Sequence, residues 1–210
     1  MGLGTNSRGD SLLQFHTEDT ADSKIVITKA YEDTYNRILN LRERNSESNA
    51  RGVVLTGQPG IGAFLILVRS HFPRPVSSTG KTTYLKYMLV RLISARQVVL
   101  LHTGLKVTLF YAGQAYYRSA TDAFLYVPRC EGKNNYPVWA LIDMDFLRSE
   151  PPLDGTSQVW PIQASTLNPV RWGNWSKRFN AANWGMPLWT MEELVLGCVL
   201  QSFLSPDASR

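Results

Sequence analysis

Gly52-Val53-Val54-Leu55-Thr56-Gly57-Gln58-Pro59-Gly60-Ile61-Gly62 is the stretch on which the fold turns. Its first half is short, apolar and β-branched, which predicts a strand buried on both faces and closed by a glycine. Its second half repeats glycine at Gly57, Gly60 and Gly62, as suits backbone that must turn sharply or approach a ligand closely. Further on, Gly80-Lys81-Thr82-Thr83 opens a run in which Tyr84, Leu85, Met88, Leu89, Leu92 and Ile93 recur at helical spacing. That periodicity predicts an amphipathic helix over 81–96.

The two fragments fit one motif. A phosphate-binding loop reads G-x-x-x-x-G-K-[ST]. Its backbone N–H groups wrap the phosphates, its lysine neutralises them, and its hydroxyl holds magnesium. The N-terminus of the following helix adds unpaired N–H groups and the positive end of its dipole. Joining 57–62 to Lys81 gives GQPGIGKTT, which satisfies every position. The contiguous text does not, because PVSSTGKT begins on Pro75, which has no N–H to offer. The motif is therefore split by residues 63–80, AFLILVRSHFPRPVSSTG. This segment has no Asp or Glu, starts after one glycine and ends on another, so deleting 63–80 or 62–79 leaves the same chain. Its eighteen codons keep the reading frame, and the flanking codons accommodate a GT donor and an AG acceptor. It is either a retained short intron or a genuine surface insertion.

Working outward, residues 1–23 are polar and read as a flexible N-terminal tail. A short strand over 24–28 and a helix over 30–44 follow, the helix carrying Tyr31, Tyr35, Ile38, Leu39 and Leu41. Beyond the lysine helix, strands are expected at 98–101, 106–111, 124–127, 138–142 and 159–163, and helices at about 170–180 and 191–200. The last helix opens on Thr190 with Glu193 three residues on, a capping box. Strands alternating with helices predict an α/β, P-loop NTPase-like domain over 24–204, with a mainly parallel sheet flanked by helices. Residues 205–210 read as a short tail.

A phosphate site of this kind needs an acid at the end of a neighbouring strand to order magnesium. Val138-Trp139-Ala140-Leu141-Ile142 runs into Asp143, the magnesium-side acid, with Asp145 as a further candidate that positions water. Strand ends also carry Asp simply as a turn former. Ser165, Thr166 and Asn168 follow the next apolar strand, where a γ-phosphate sensor or an Asn-Pro turn accounts for them equally well. Trp172, Trp175, Trp184 and Trp189 interleave with Arg171, Lys177 and Arg178, which suits base stacking or, more commonly, packing of a helical layer onto the sheet.

Composition bounds the rest. The chain has 210 residues, 44% hydrophobic and 19% charged, enough for a real core and unlike a disordered chain or a coiled coil. Two cysteines, Cys130 and Cys198, and three histidines, His16, His71 and His102, support neither a disulfide scaffold nor a structural zinc site. The net charge of +5 comes without a basic cluster, so nucleic acid is not the expected partner. No apolar run approaches the ~20 residues of a membrane span. The first residues lack the apolar core of a signal peptide, so an intracellular setting, cytoplasmic or nuclear, is expected.

In their order, GQPGIG…GKTTYLKYMLVRL, the acid-ended strand VWALIDMD, the segment IQASTLNPVRWGNWSK and the block NWGMPLWTMEEL resemble a family. It is the P-loop NTPase module of Crinkler-like and retrotransposon-hot-spot-like proteins, expanded in fungi and some protists. The resemblance covers about residues 24–200 apart from 63–80. It implies an ATPase-type domain that binds Mg-ATP and hydrolyses it in its intact form. Residue by residue, it assigns Gly57, Gly60, Gly62, Lys81 and Thr82 to phosphate and magnesium, with Asp143 as the second acid. The motif as read from the residues adds Gln58, Pro59, Ile61, Gly80 and Thr83 to the nucleotide loop, places Thr82 and Asp143 on magnesium, and leaves Lys81, Asp143 and Asp145 for catalysis. The resemblance further implies a module whose C-terminal helices are missing, or which works with a protein partner. The competing reading is a non-catalytic interaction module that keeps the fold. A nucleic-acid-associated protein is the third.

Overall fold

The computed structural model describes residues 3–5, 11–17, 20–44, 49–57, 80–103, 106–119, 138–144, 159–187, 190–193 and 195. Several expected features lie outside these residues: Gln58, Pro59, Gly60, Ile61 and Gly62, the segment 63–79, the strand at 124–127, Asp145, Trp189, both cysteines and the tail 205–210.

The stretch expected as a flexible tail holds strands instead: β1 (Leu3–Thr5), β2 (Ser11–Thr17) and the first half of β3 (Thr20–Ile27) form a three-stranded antiparallel sheet. Their polar composition hides them, because an antiparallel partner satisfies the backbone whatever the side chains are. Ile27 ends β3, and Thr28 caps α1 (Lys29–Glu43) by accepting from the Tyr31 N–H at 3.4 Å. Tyr31, Tyr35 and Ile38 recur at i, i+4 and i+7, and they form the buried stripe of α1.

The main sheet has seven strands: β4 (Val53–Thr56), β5 (Val98–Thr103), β6 (Lys106–Tyr111), β7 (Gln114–Ser119), β8 (Val138–Asp143), β9 (Val159–Ser165) and β10 (Ala182–Gly185). Their spatial order is β10-β4-β9-β8-β5-β6-β7. The first five are mutually parallel, and β6 and β7 add an antiparallel edge. The expected α/β architecture with a mainly parallel sheet is present. β4, β8 and β9 are buried along their whole lengths, as central parallel strands must be.

Helices cover both faces. On one face α1 and α2 (Gly80–Ser94) pack against alternate strand residues such as Val53, Leu55, Trp139, Leu141, Trp160 and Ile162. On the other, α3 (Gly173–Phe179) buries Trp175 and Phe179, stacked at 4.7 Å, against Val54, Ala140 and Ile142. Trp172 joins that core and Trp184 lies under the Arg37 guanidinium at 4.3 Å, so these tryptophans pack the helical layers. A 3₁₀ turn at Pro169–Arg171 precedes α3, and the helix expected over 170–180 is shorter because Pro169 and the Asn168 cap start a separate turn. The Thr190–Glu193 capping box forms reciprocally, at 2.8 and 3.2 Å.

Candidate functional site at the ends of the parallel strands

The chain leaves the neighbouring strands β4 and β9 in opposite directions. From β4 it crosses to β5 through α2 on one face, and from β9 it crosses to β10 through α3 on the other. Such a reversal opens a crevice at the carboxyl ends of the two strands, where open α/β sheets bind ligands. Gly57 follows β4, Ser165 ends β9, Asp143 ends β8, and the first turn of α2 presents Lys81 and Thr82.

Register decides how these groups meet. Ala164 of β9 lies between Leu55 of β4 and Asp143 of β8. Its methyl leaves room on the α2 face for the start of the helix. Thr82 Oγ1 donates to Asp143 Oδ2 at 2.8 Å, across a separation of 61 residues. Lys81 is only 2% exposed, and its Nζ donates to the carbonyl oxygen of Gly57 at 3.2 Å. The Lys81 stem lies along Gly57, where an added Cβ would meet Lys81 Cγ at 3.5 Å and Met186 Cβ at 3.7 Å. Met186 is held there by its N–H, which donates to the Thr56 carbonyl at 2.7 Å.

The electrostatics favour an anion. The first turn of α2 carries no acidic residue, so Lys81 and the positive end of the helix dipole act together. Asp143, 1% exposed, is the acid that faces this turn. Ser165 Oγ and Thr166 Oγ1, at the end of β9, are buried atoms without a hydrogen-bond partner among the described residues. Buried hydroxyls left unpaired are costly unless a ligand or water completes them. Asn168 belongs to the turn instead, since its Oδ1 accepts from the Val170 N–H at 3.1 Å.

Of the residues singled out from the sequence, Gly57, Gly80, Lys81, Thr82 and Asp143 come together, and Thr83 is half-buried on the same turn. One group escaped notice. Tyr31 of α1, 1% exposed, donates its hydroxyl to the Gly80 carbonyl at 3.0 Å. A contact over 49 residues leaves no local pattern to read.

The oxygen pair at 2.8 Å suits a hard cation. Two donors in adjacent octahedral positions about magnesium lie about 2.9 Å apart, so Thr82 and Asp143 fit that ion. Among the described residues no group of three or more His, Cys, Asp and Glu assembles a metal site. Among the described residues, no helix is long and apolar enough to cross a membrane. Comparison with known proteins finds no matching family model, no matching curated protein and no matching solved structure.

Proposed function

We propose that the chain is a nucleotide-binding domain of the P-loop NTPase type, with Mg-ATP as its ligand. The observation that carries the reading is the Thr82–Asp143 hydrogen bond, formed one residue after a buried lysine at the switch point of a parallel sheet. A hydroxyl, a carboxylate and an ammonium at a helix N-terminus are the groups that magnesium and a polyphosphate require.

Lys81 leaves the Gly57 carbonyl to meet the β- and γ-phosphate oxygens, where it neutralises charge that grows during phosphoryl transfer. Thr82 and Asp143 would hold magnesium, which would supply positive charge against the terminal phosphates. Ser165 and Thr166 supply donors for the γ-phosphate at the opposite wall. Asp145 remains the residue for orienting water, on the strength of its place after β8.

Thermal shift and titration with Mg-ATP test the reading on the full chain and on a form lacking 62–79. Binding raises the melting temperature by mass action, by about 2.7 kcal/mol of stability at a hundredfold excess over Kd. Asp143→Asn keeps an oxygen for Thr82 but removes the charge, so affinities with magnesium and with EDTA become equal. A response by the shortened form alone makes residues 63–80 a disabling insertion, and a folded chain silent in both forms is an interaction module without nucleotide chemistry.

A further inference from the structure

We propose that Tyr31 is a positioning residue that holds the phosphate-facing end of α2 in place, substituting for the short covalent loop that the chain lacks. The inference rests on the nucleotide-site reading and adds the element that keeps the site assembled.

In a continuous phosphate loop, four residues join the strand glycine to the glycine before the lysine. Here residues 58–79 separate Gly57 from Gly80. A connection of that length holds its ends together less tightly, on the order of tenfold by loop-closure statistics. Yet Lys81 and Thr82 stand at the ends of β4 and β8. Both of their hydrogen bonds use groups that a nucleotide would claim, so neither bond can serve as the permanent tether.

The Tyr31 hydroxyl can, because it donates to the Gly80 carbonyl, an acceptor that a phosphate, itself an acceptor, does not claim. Its own position is well fixed. The ring packs edge-on against Tyr84 at 5.3 Å and tilted on Tyr87 at 5.8 Å, one and two turns into α2. Arg91 closes the cluster by donating to the Tyr87 hydroxyl at 3.1 Å while lying over the Tyr35 ring at 4.8 Å. One turn back, Thr28 caps the helix that carries Tyr31. α1 is thus a splint laid along the first half of α2, and its last fastening is at Gly80.

Tyr31→Phe keeps the ring and removes one oxygen. In the ligand-free full chain it should speed hydrogen exchange of the amides of residues 84–87, whose helical hydrogen bonds end on the first-turn carbonyls of α2, about fivefold, the worth of one such hydrogen bond. Unchanged exchange there overturns the proposal. Mg-ATP affinity should fall about fivefold in the full chain and less than twofold in the form lacking 62–79, where GQPGIGKTT restores a short connection. Equal loss in both forms marks a general structural role and also overturns it. If neither form binds Mg-ATP, the nucleotide reading fails, while exchange still decides the role of Tyr31.

Discussion

Lys81 pays for its position. An ammonium with three donors is taken almost wholly out of water, and its Nζ meets a neutral carbonyl. Burial of a charge on those terms is unfavourable, so stability and binding pull this residue in opposite directions. Lys81→Met should therefore stabilise the ligand-free protein by about 1 kcal/mol in a urea melt. It should also weaken Mg-ATP binding on the order of a hundredfold. A variant that melts earlier and binds as before would sink the assignment. Lys81, Thr82 and Asp143 were legible because each sits where a strand ends or a helix begins, and such places carry chemistry in parallel sheets. The unpaired hydroxyls of Ser165 and Thr166 were not decidable from spacing. A turn and a ligand contact ask for the same residue types, and burial is not written in the spacing.

At the scale of elements, the helices and the buried parallel strands were readable and the edges were not. α1 and α2 declare themselves through apolar residues at helical spacing, and β4 and β8 through continuous apolar runs. β7 escaped because its hairpin turns on Ala112 and Gly113, both at positive φ, rather than on an Asn-Gly pair. β10 escaped because its four residues, Ala182-Asn183-Trp184-Gly185, are too few to show a period. β4 also starts one residue later than expected. Gly52, expected as its first residue, lies against Pro161 of β9, and the ladder begins one residue later at Val53 and Ile162. A Cβ on Gly52 would come within 2.8 Å of both Pro161 Cγ and the Pro161 carbonyl oxygen. Gly52→Ala is expected to cost about 1–3 kcal/mol through displaced backbone at the centre of the sheet, read as a lower urea midpoint with unchanged slope. Wild-type stability in that variant would mean that the two strands do not approach so closely.

For the whole molecule, the tyrosine interlock between α1 and α2 makes stability depend on alkaline pH. Burial pushes the hydroxyls of Tyr35, Tyr84 and Tyr87 above their ordinary value near 10. At Tyr84 the neighbouring tyrosines add to the rise, whereas at Tyr35 and Tyr87 Arg91 opposes part of it. The folded chain therefore keeps protons that the unfolded chain has already released, and unfolding becomes easier as pH climbs past about 10. Arg42, over the Trp139 ring at 4.0 Å, acts in the other direction. Burial lowers its pKa from 12.5 to about 10, so within that window the unfolded chain holds the extra proton and folding gains as pH rises. Three tyrosines against one arginine leave a net loss. The melting temperature should hold below pH 9 and fall steeply between pH 10 and 11. In Tyr84→Phe, which also removes a buried hydroxyl without a hydrogen-bond partner among the described residues, the fall should be shallower and the neutral-pH stability equal or higher. A melting temperature that is level or rising across pH 10 would show that the tyrosines ionise freely, and with that the packing of α1 on the N-terminal half of α2 would lose its basis.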